Sequence, residues 1–418
     1  MITFTFSRND LSSAFISAFF AIFVAVFDAN ASLYIFVGSL NKRNVPHGPN
    51  RTLVVLAAPS IWDLNYAEDF VPIVQFQIKL VRLLNGQLVG HSPPFRSLFL
   101  VICSTEFESA LLIADRHTIP FINGQNKLLS DNLPPEHLLE ATIYGINLHD
   151  FAPLGNVRRV KFVYRNENWA SVASRQIDDS INRFLIKSRL RVDKREPNIV
   201  LLGKDVVDNG VNRALISNIT FAKNIRKIPR QSLMIKLQNA FRKVIVVPPP
   251  APFVGRRHRL RLDDVLCFID DAVLVMSALS PSIANKVHME VFKREKKEVT
   301  VVELPVDGMP KEGPSASGGP PYQSDEGNCG LYSAILATDR FVFVPVFGNI
   351  AANWQLGYST MADKRTIHLI ERYTHKTVVP VNVPREICRR GLSMRSLSWT
   401  LKGAAAKRIM AMSGGGKH

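Results

Sequence analysis

The stretch Val200–Gly210, VLLGKDVVDNG, sets the local pattern from which the rest of the chain is read. Ile199–Leu202 is a continuous apolar run of strand length. Asn209-Gly210 then falls between Val206-Val207 and Ala214–Ile216, and this dipeptide is a strong hairpin signal because both residues tolerate the positive φ of a tight turn. Working outward, similar runs recur at Leu53–Ala57, Leu98–Cys103, Val160–Tyr164, Val244–Val247, Ala272–Met276, Val299–Glu303, Phe341–Val346 and Thr377–Val383. Many are apolar throughout rather than alternating, as expected of strands buried on both faces. Helices are fewer. Pro72–Leu84 places its proline in the first turn and is stopped by Asn85-Gly86, and Gln231–Arg242 and Lys364–Tyr373 have helical character. The fold class is α/β. Residues 305–325, PVDGMPKEGPSASGGPPYQSD, read as a flexible loop within one domain, because the same strand-and-helix texture resumes after them.

The 418 residues are 46% hydrophobic and 21% charged, which supports a packed core and excludes general disorder. The formal net charge of +17 favours acidic partners and repels cationic small molecules at long range. Basic residues cluster at Arg183–Arg195, Arg256–Arg261 and Arg389–Arg390, the second cluster reading as an exposed run. The clusters lack the interleaved aromatics of a single-strand platform, so nucleic acid is not the expected partner. Cys103, Cys267, Cys329 and Cys388 are scattered without C-x-x-C spacing, which argues against zinc and makes buried free thiols the expectation. Residues 1–31 contain the apolar run Ala14–Phe27 followed by Ala29-Asn30-Ala31. They read as a signal peptide or an N-terminal hydrophobic anchor, giving a secreted or membrane-anchored product; if the segment is no targeting signal, the location is cytoplasmic. Residues 404–418, ending in Gly-Gly-Gly-Lys-His, read as a disordered tail.

Taken in order, the segments resemble the agmatine deiminase family, which includes the bacterial, Porphyromonas-type peptidylarginine deiminases. Leu138–Pro153 (LLEATIYGINLHDFAP) is similar to the family's Trp-x-Arg-Asp-x-x-Pro loop. Val160–Asn166, Val200–Gly210, Arg261–Asp271 and Cys329–Gly348 follow at suitable distances, and Ser393–Trp399 (SMRSLSW) lies where the family has its His-Cys motif. The resemblance implies a pentein-type five-bladed α/β propeller over residues 51–403, built from pseudo-fivefold ββαβ units around a central site. It also implies hydrolysis of a guanidinium C–N bond, as in putrescine biosynthesis from agmatine or in arginine citrullination, with no metal and no cofactor.

That chemistry needs two carboxylates to hold the planar guanidinium, a thiolate nucleophile, and a histidine to protonate ammonia and activate water. The resemblance places the carboxylates at Asp150 and Asp263. Read without it, Asp150 is equally a loop or cap acid. Gly203-Lys204-Asp205 stands where the family has Gly-Gly-Asn, making Asp205 a replacement carboxylate or simply an exposed turn acid. The nucleophile position falls on Ser396, with Arg395 for the adjacent histidine, and the catalytic histidine falls on Arg261. His258 substitutes only if its loop is rebuilt. Arginine does not deprotonate in proteins, and serine without a base is a poor nucleophile. The expectation is a catalytically impaired deiminase, a pseudoenzyme with agmatine or peptidyl-arginine as its guanidino ligand. The alternatives are a non-catalytic, secreted or membrane-associated basic binding protein on the same scaffold, and a working hydrolase recruiting Ser396, His258 or Cys388.

Overall fold

A computed structural model describes residues 52–86, 108–166, 170–250, 260–277, 281–295, 298–306, 327–348 and 360–413. The N-terminal segment 1–51, the expected strand Leu98–Cys103, His258 and most of the 305–325 loop lie outside the described residues.

The described strands form five separate sheets with a common local plan. Strand β1 (Leu53–Ala57) leads through helix α1 (Phe70–Leu84) to the parallel β2 (Ser109–Ala114), which also pairs with β3 (Leu138–Glu140). Strand β4 (Val160–Val163) leads through α2 (Ser171–Lys187) to the parallel β5 (Lys194–Val200), and Leu154 bridges antiparallel to Val160. In the next sheet, β6 (Val206–Asp208) turns antiparallel into β7 (Arg213–Ser217), which crosses through Asn218–Asn224 and α3 (Arg230–Phe241) to the parallel β8 (Lys243–Val247). The plan repeats with β9 (Leu266–Asp270), β10 (Val273–Ser277), α4 (Pro281–Glu295) and β11 (Thr300–Leu304). It repeats again with β12 (Leu336–Ala337), β13 (Phe341–Val346), α5 (Thr360–Glu371) and β14 (Thr377–Asn382). Strand β15 (Ser398–Leu401) then returns antiparallel to β1 and completes the first sheet among the described residues.

The apolar runs are explained by burial on both faces. In β1, Val54 and Leu56 join one core cluster while Leu53, Val55 and Ala57 join another. In β7, Leu215 faces one cluster and Ala214 and Ile216 the next. A strand with no solvent face has no reason to alternate. The hairpin signal holds: Asp208 pairs with Ala214 across a turn in which Gly210 has φ 72°. The turn is longer than two residues because Asn209 Oδ1 accepts from the backbone N–H of Val211, Asn212 and Arg213.

Two expectations are corrected. Residues 404–413 are not a tail: Gly403–Ser413 is a helix, α6, whose Ala406 and Ile409 recur at helical spacing and are buried against the β1 core. The cysteines are not all free thiols. Cys329 and Cys388 form a disulfide across a sequence separation of 59, while Cys267 is free and buried. No local spacing announces a pair that only the packing of Arg385–Arg389 beneath the turn at 327–330 brings together. Among the described residues no helix is long and apolar enough to cross a membrane.

Candidate functional site

One-turn helices precede several of the sheets, and they carry the site: Leu148–Phe151, Gly203–Asp205, Leu262–Val265 and Met394–Leu397. The first touches both the second and the last, and the second touches the third. Close approach requires glycine at Gly203, where a Cβ would sit 1.8 Å from the His149 carbonyl oxygen. That approach lets the Lys204 backbone N–H donate to Asp150 Oδ1 at 2.9 Å.

Asp150 and Asp263 come together, and they hold a guanidinium. It belongs to Arg261. Its Nη1 and Nη2 donate to Asp150 Oδ2 and Oδ1 at 3.1 and 2.9 Å. Its Nε and Nη2 donate to Asp263 Oδ1 and Oδ2 at 2.8 and 2.9 Å. These are two bidentate, charge-assisted contacts on one planar group. Both acids are buried, with Asp150 2% and Asp263 0% exposed. Burial works against the Asp263 carboxylate, but the Arg261 guanidinium outweighs it and holds the acid below its usual range. The Arg261 charge is likewise stabilised by Asp150 and Asp263 against the cost of burial. Arg261 is therefore not part of an exposed basic run: as the residue leading into Leu262–Val265, it is drawn inward by the acid two positions along and by Asp150 from a distant turn.

Asp264 is a site residue that the sequence reading missed. Burial, with the neighbouring Asp263 charge, pushes its carboxyl up to about 7. Asn328 Nδ2 donates to it at 3.3 Å, and Arg261 Nε lies 3.8 Å away. The signal was present in the adjacent acids of the apolar stretch Leu262–Ile269. His149 Nε2 lies 3.9 Å from Asp263 Oδ2, and burial together with the Arg395 charge lowers its pKa, favouring the neutral ring. Arg395 Nη1 reaches Cys267 Sγ at 3.2 Å, and burial raises that thiol's pKa.

The remaining sequence candidates do not join the clamp. Asp205 is buried, not an exposed turn acid, and it pairs with Lys223 at 3.3 Å. Ser396 is 0% exposed. Its hydroxyl donates to the Ser393 carbonyl at 3.0 Å and accepts the Ser393 N–H at 2.9 Å, while Ser393 Oγ caps the Ser396 N–H. This is a capping box built with serine in place of glutamate. Cys388 is in the disulfide.

A cavity of about 130 Å³ opens beside the clamp, lined by His149, Arg395, Phe268, Asp270, Thr338 and Lys376 among others. Asp150, Arg261, Asp263 and Ser396 do not line it. It is smaller than the roughly 300 Å³ at which small-molecule pockets begin. The arrangement holds a guanidinium firmly, and among the described residues it presents no thiolate and no exposed hydroxyl to one.

No protein-family model and no curated protein matches the sequence. Solved structures do match, and they define an α/β fold shared with guanidine-modifying enzymes. The agmatine deiminase of C. jejuni is similar with a TM-score of 0.57 and 15% identity, covering 84% of this chain and 93% of that one. The agmatine deiminase of Enterococcus faecalis gives a TM-score of 0.58 and 15% identity over the same shares. A Porphyromonas gingivalis protein assigned as an arginine deiminase gives 0.56 and 16%, covering 84% and 95%. The fold of this chain is thus that of the agmatine deiminases, at an identity too low to carry their activity across.

Proposed function

We propose that this chain is a deiminase-fold pseudoenzyme, a binding or scaffold protein in which the guanidinium site is kept and filled from within. The observation that carries this reading is the double bidentate contact of Arg261 with Asp150 and Asp263. In this reading Asp150 and Asp263 are the inherited substrate-binding acids, Arg261 stands at the position of the catalytic histidine, and Ser396 at that of the cysteine. Arg261 supplies the group a substrate would bring, so agmatine or peptidyl-arginine must displace a tethered guanidinium before any chemistry begins. Two further observations support the loss of turnover. The Ser396 hydroxyl is committed to the turn that holds it, and His149, held neutral by burial, has no hydrogen-bond partner for its Nε2 among the described residues.

The five sheets of one plan, with β15 returning to β1, support a five-bladed propeller of ββαβ units around the clamp. The Cys329–Cys388 disulfide supports a secreted or membrane-anchored product, since such bonds persist in oxidising compartments.

The test is an assay of the purified full chain for ammonia and ureido product with agmatine and with arginine peptides. No turnover is expected. Turnover abolished by Ser396→Ala would overturn the reading.

A further inference from the structure

A second cavity, of about 470 Å³, lies between the loop before β4, the end of α2 and the start of α6. Its lining carries Arg159, Arg189, Arg191, Arg408 and Lys402 against one acid, Asp193. That acid is partly engaged already, since its Oδ2 accepts the Arg159 backbone N–H at 2.8 Å. Lys402 is paired with Asp339. None of the four guanidinium groups makes an ion pair among the described residues. Arg408 spends only its Nε, on the Ser188 carbonyl at 3.2 Å. Asn156, also in the lining, has a buried side-chain Nδ2 with no hydrogen-bond partner.

Like charges do not gather around a concave surface without cost. Exposed arginines spread over a convex face are screened by water and salt, but facing arginines in a cavity repel one another. Burial lowers the pKa of Arg159, and the neighbouring Asp193 charge works against that shift. Arg189 is also held at φ 50°, a conformation that non-glycine residues rarely adopt. The first backbone turn of α6, with only the methyl groups of Ala404 and Ala405 beside the cavity, adds partial positive charge.

We infer that this cavity is an anion site for a small soluble molecule bearing a diphosphate or two neighbouring phosphates. Four guanidinium groups with no ion pair among the described residues, less the charge of Asp193, match an anion of about three charges, and the planar fork of arginine suits bidentate contact with phosphate oxygens. The volume suits a metabolite-sized ligand. Among the described residues no aromatic side chain lines the cavity to stack a nucleobase, and the phosphates themselves are what the site recognises. The site is independent of the guanidinium clamp and of the deiminase reading.

Inorganic pyrophosphate titrated into the full chain at physiological salt, followed by calorimetry, is the direct test. Saturable binding at least tenfold tighter than that of inorganic phosphate is expected. Arg191→Ala and Arg159→Ala should each weaken it tenfold or more, while Arg372→Ala, an exposed arginine outside the cavity, should leave it unchanged. Arg191 is exposed, so its variant keeps the test available if Arg159→Ala does not fold. Absence of saturable binding would overturn the proposal. So would equal loss in Arg372→Ala, or tighter binding of single-stranded RNA or of vesicles carrying a bisphosphorylated inositol lipid, since these outcomes describe a general polyanion surface.

Discussion

Replacing Arg261 by alanine removes the guanidinium from between two buried carboxylates and leaves both acids in place. Four donated hydrogen bonds, of 2.8, 2.9, 2.9 and 3.1 Å, are lost together. Removing one partner of a buried ion pair typically costs about 3–5 kcal/mol, because the remaining charge is left uncompensated. For a chain of this size that corresponds to a fall in Tm of roughly 3–6 °C. The deficit should depend on pH. In the parent, the Arg261 guanidinium holds the folded Asp263 carboxyl below the ordinary aspartate range, so its contribution is complete above about pH 4 and is lost as pH falls through the depressed value. In Arg261→Ala that depression disappears and the buried Asp263 holds its proton more readily, so the gap between variant and parent should narrow as pH falls from 7 towards 4. The distinctive assay is rescue. Millimolar methylguanidinium should raise the variant's Tm and leave the parent's unchanged, by RT ln(1 + [L]/Kd), about 2.7 kcal/mol at a hundredfold excess over Kd. Methylammonium, which lacks the planar fork, should do much less. A variant within about 1 kcal/mol of the parent, or one rescued equally by both cations, would refute the idea that Arg261 occupies a guanidinium-specific clamp.

Asp264→Asn should stabilise the protein at pH 8 and do little near pH 4. The buried carboxyl, raised to about 7, binds more protons folded than unfolded between about pH 4 and 7, so its contribution to stability falls across that window as pH rises; urea unfolding at several pH values checks this. Ser396→Ala should cost about 1–2 kcal/mol by leaving the buried Ser393 N–H without its acceptor, and it should not alter methylguanidinium binding to Arg261→Ala. Replacing Cys329 and Cys388 by serine should cost about 4 kcal/mol by the loop-entropy relation for a separation of 59, read as a lower denaturation midpoint.

The sequence by itself determined the elements. Leu53–Ala57 and Phe341–Val346 are strands because their apolar runs leave no polar face, and the Asn209-Gly210 turn was legible because Asn209 caps its own loop. Asp150 and Asp263 were singled out by the family resemblance and not by any local pattern, and the structure sets both against Arg261. What the sequence could not give was the partner of those acids. Arg261 reads as the end of a basic run, and only the approach of residues 111 positions apart turns it into the ligand of a buried clamp. The same holds for Cys329 and Cys388, for Ser396 and for the arginine-lined cavity beside α6. A hairpin or a buried strand is written in neighbouring residues, whose sterics and hydrogen bonds act locally. The state of a charge, a thiol or a hydroxyl depends on which distant groups the fold brings within a few ångströms, and only the tertiary structure decides that.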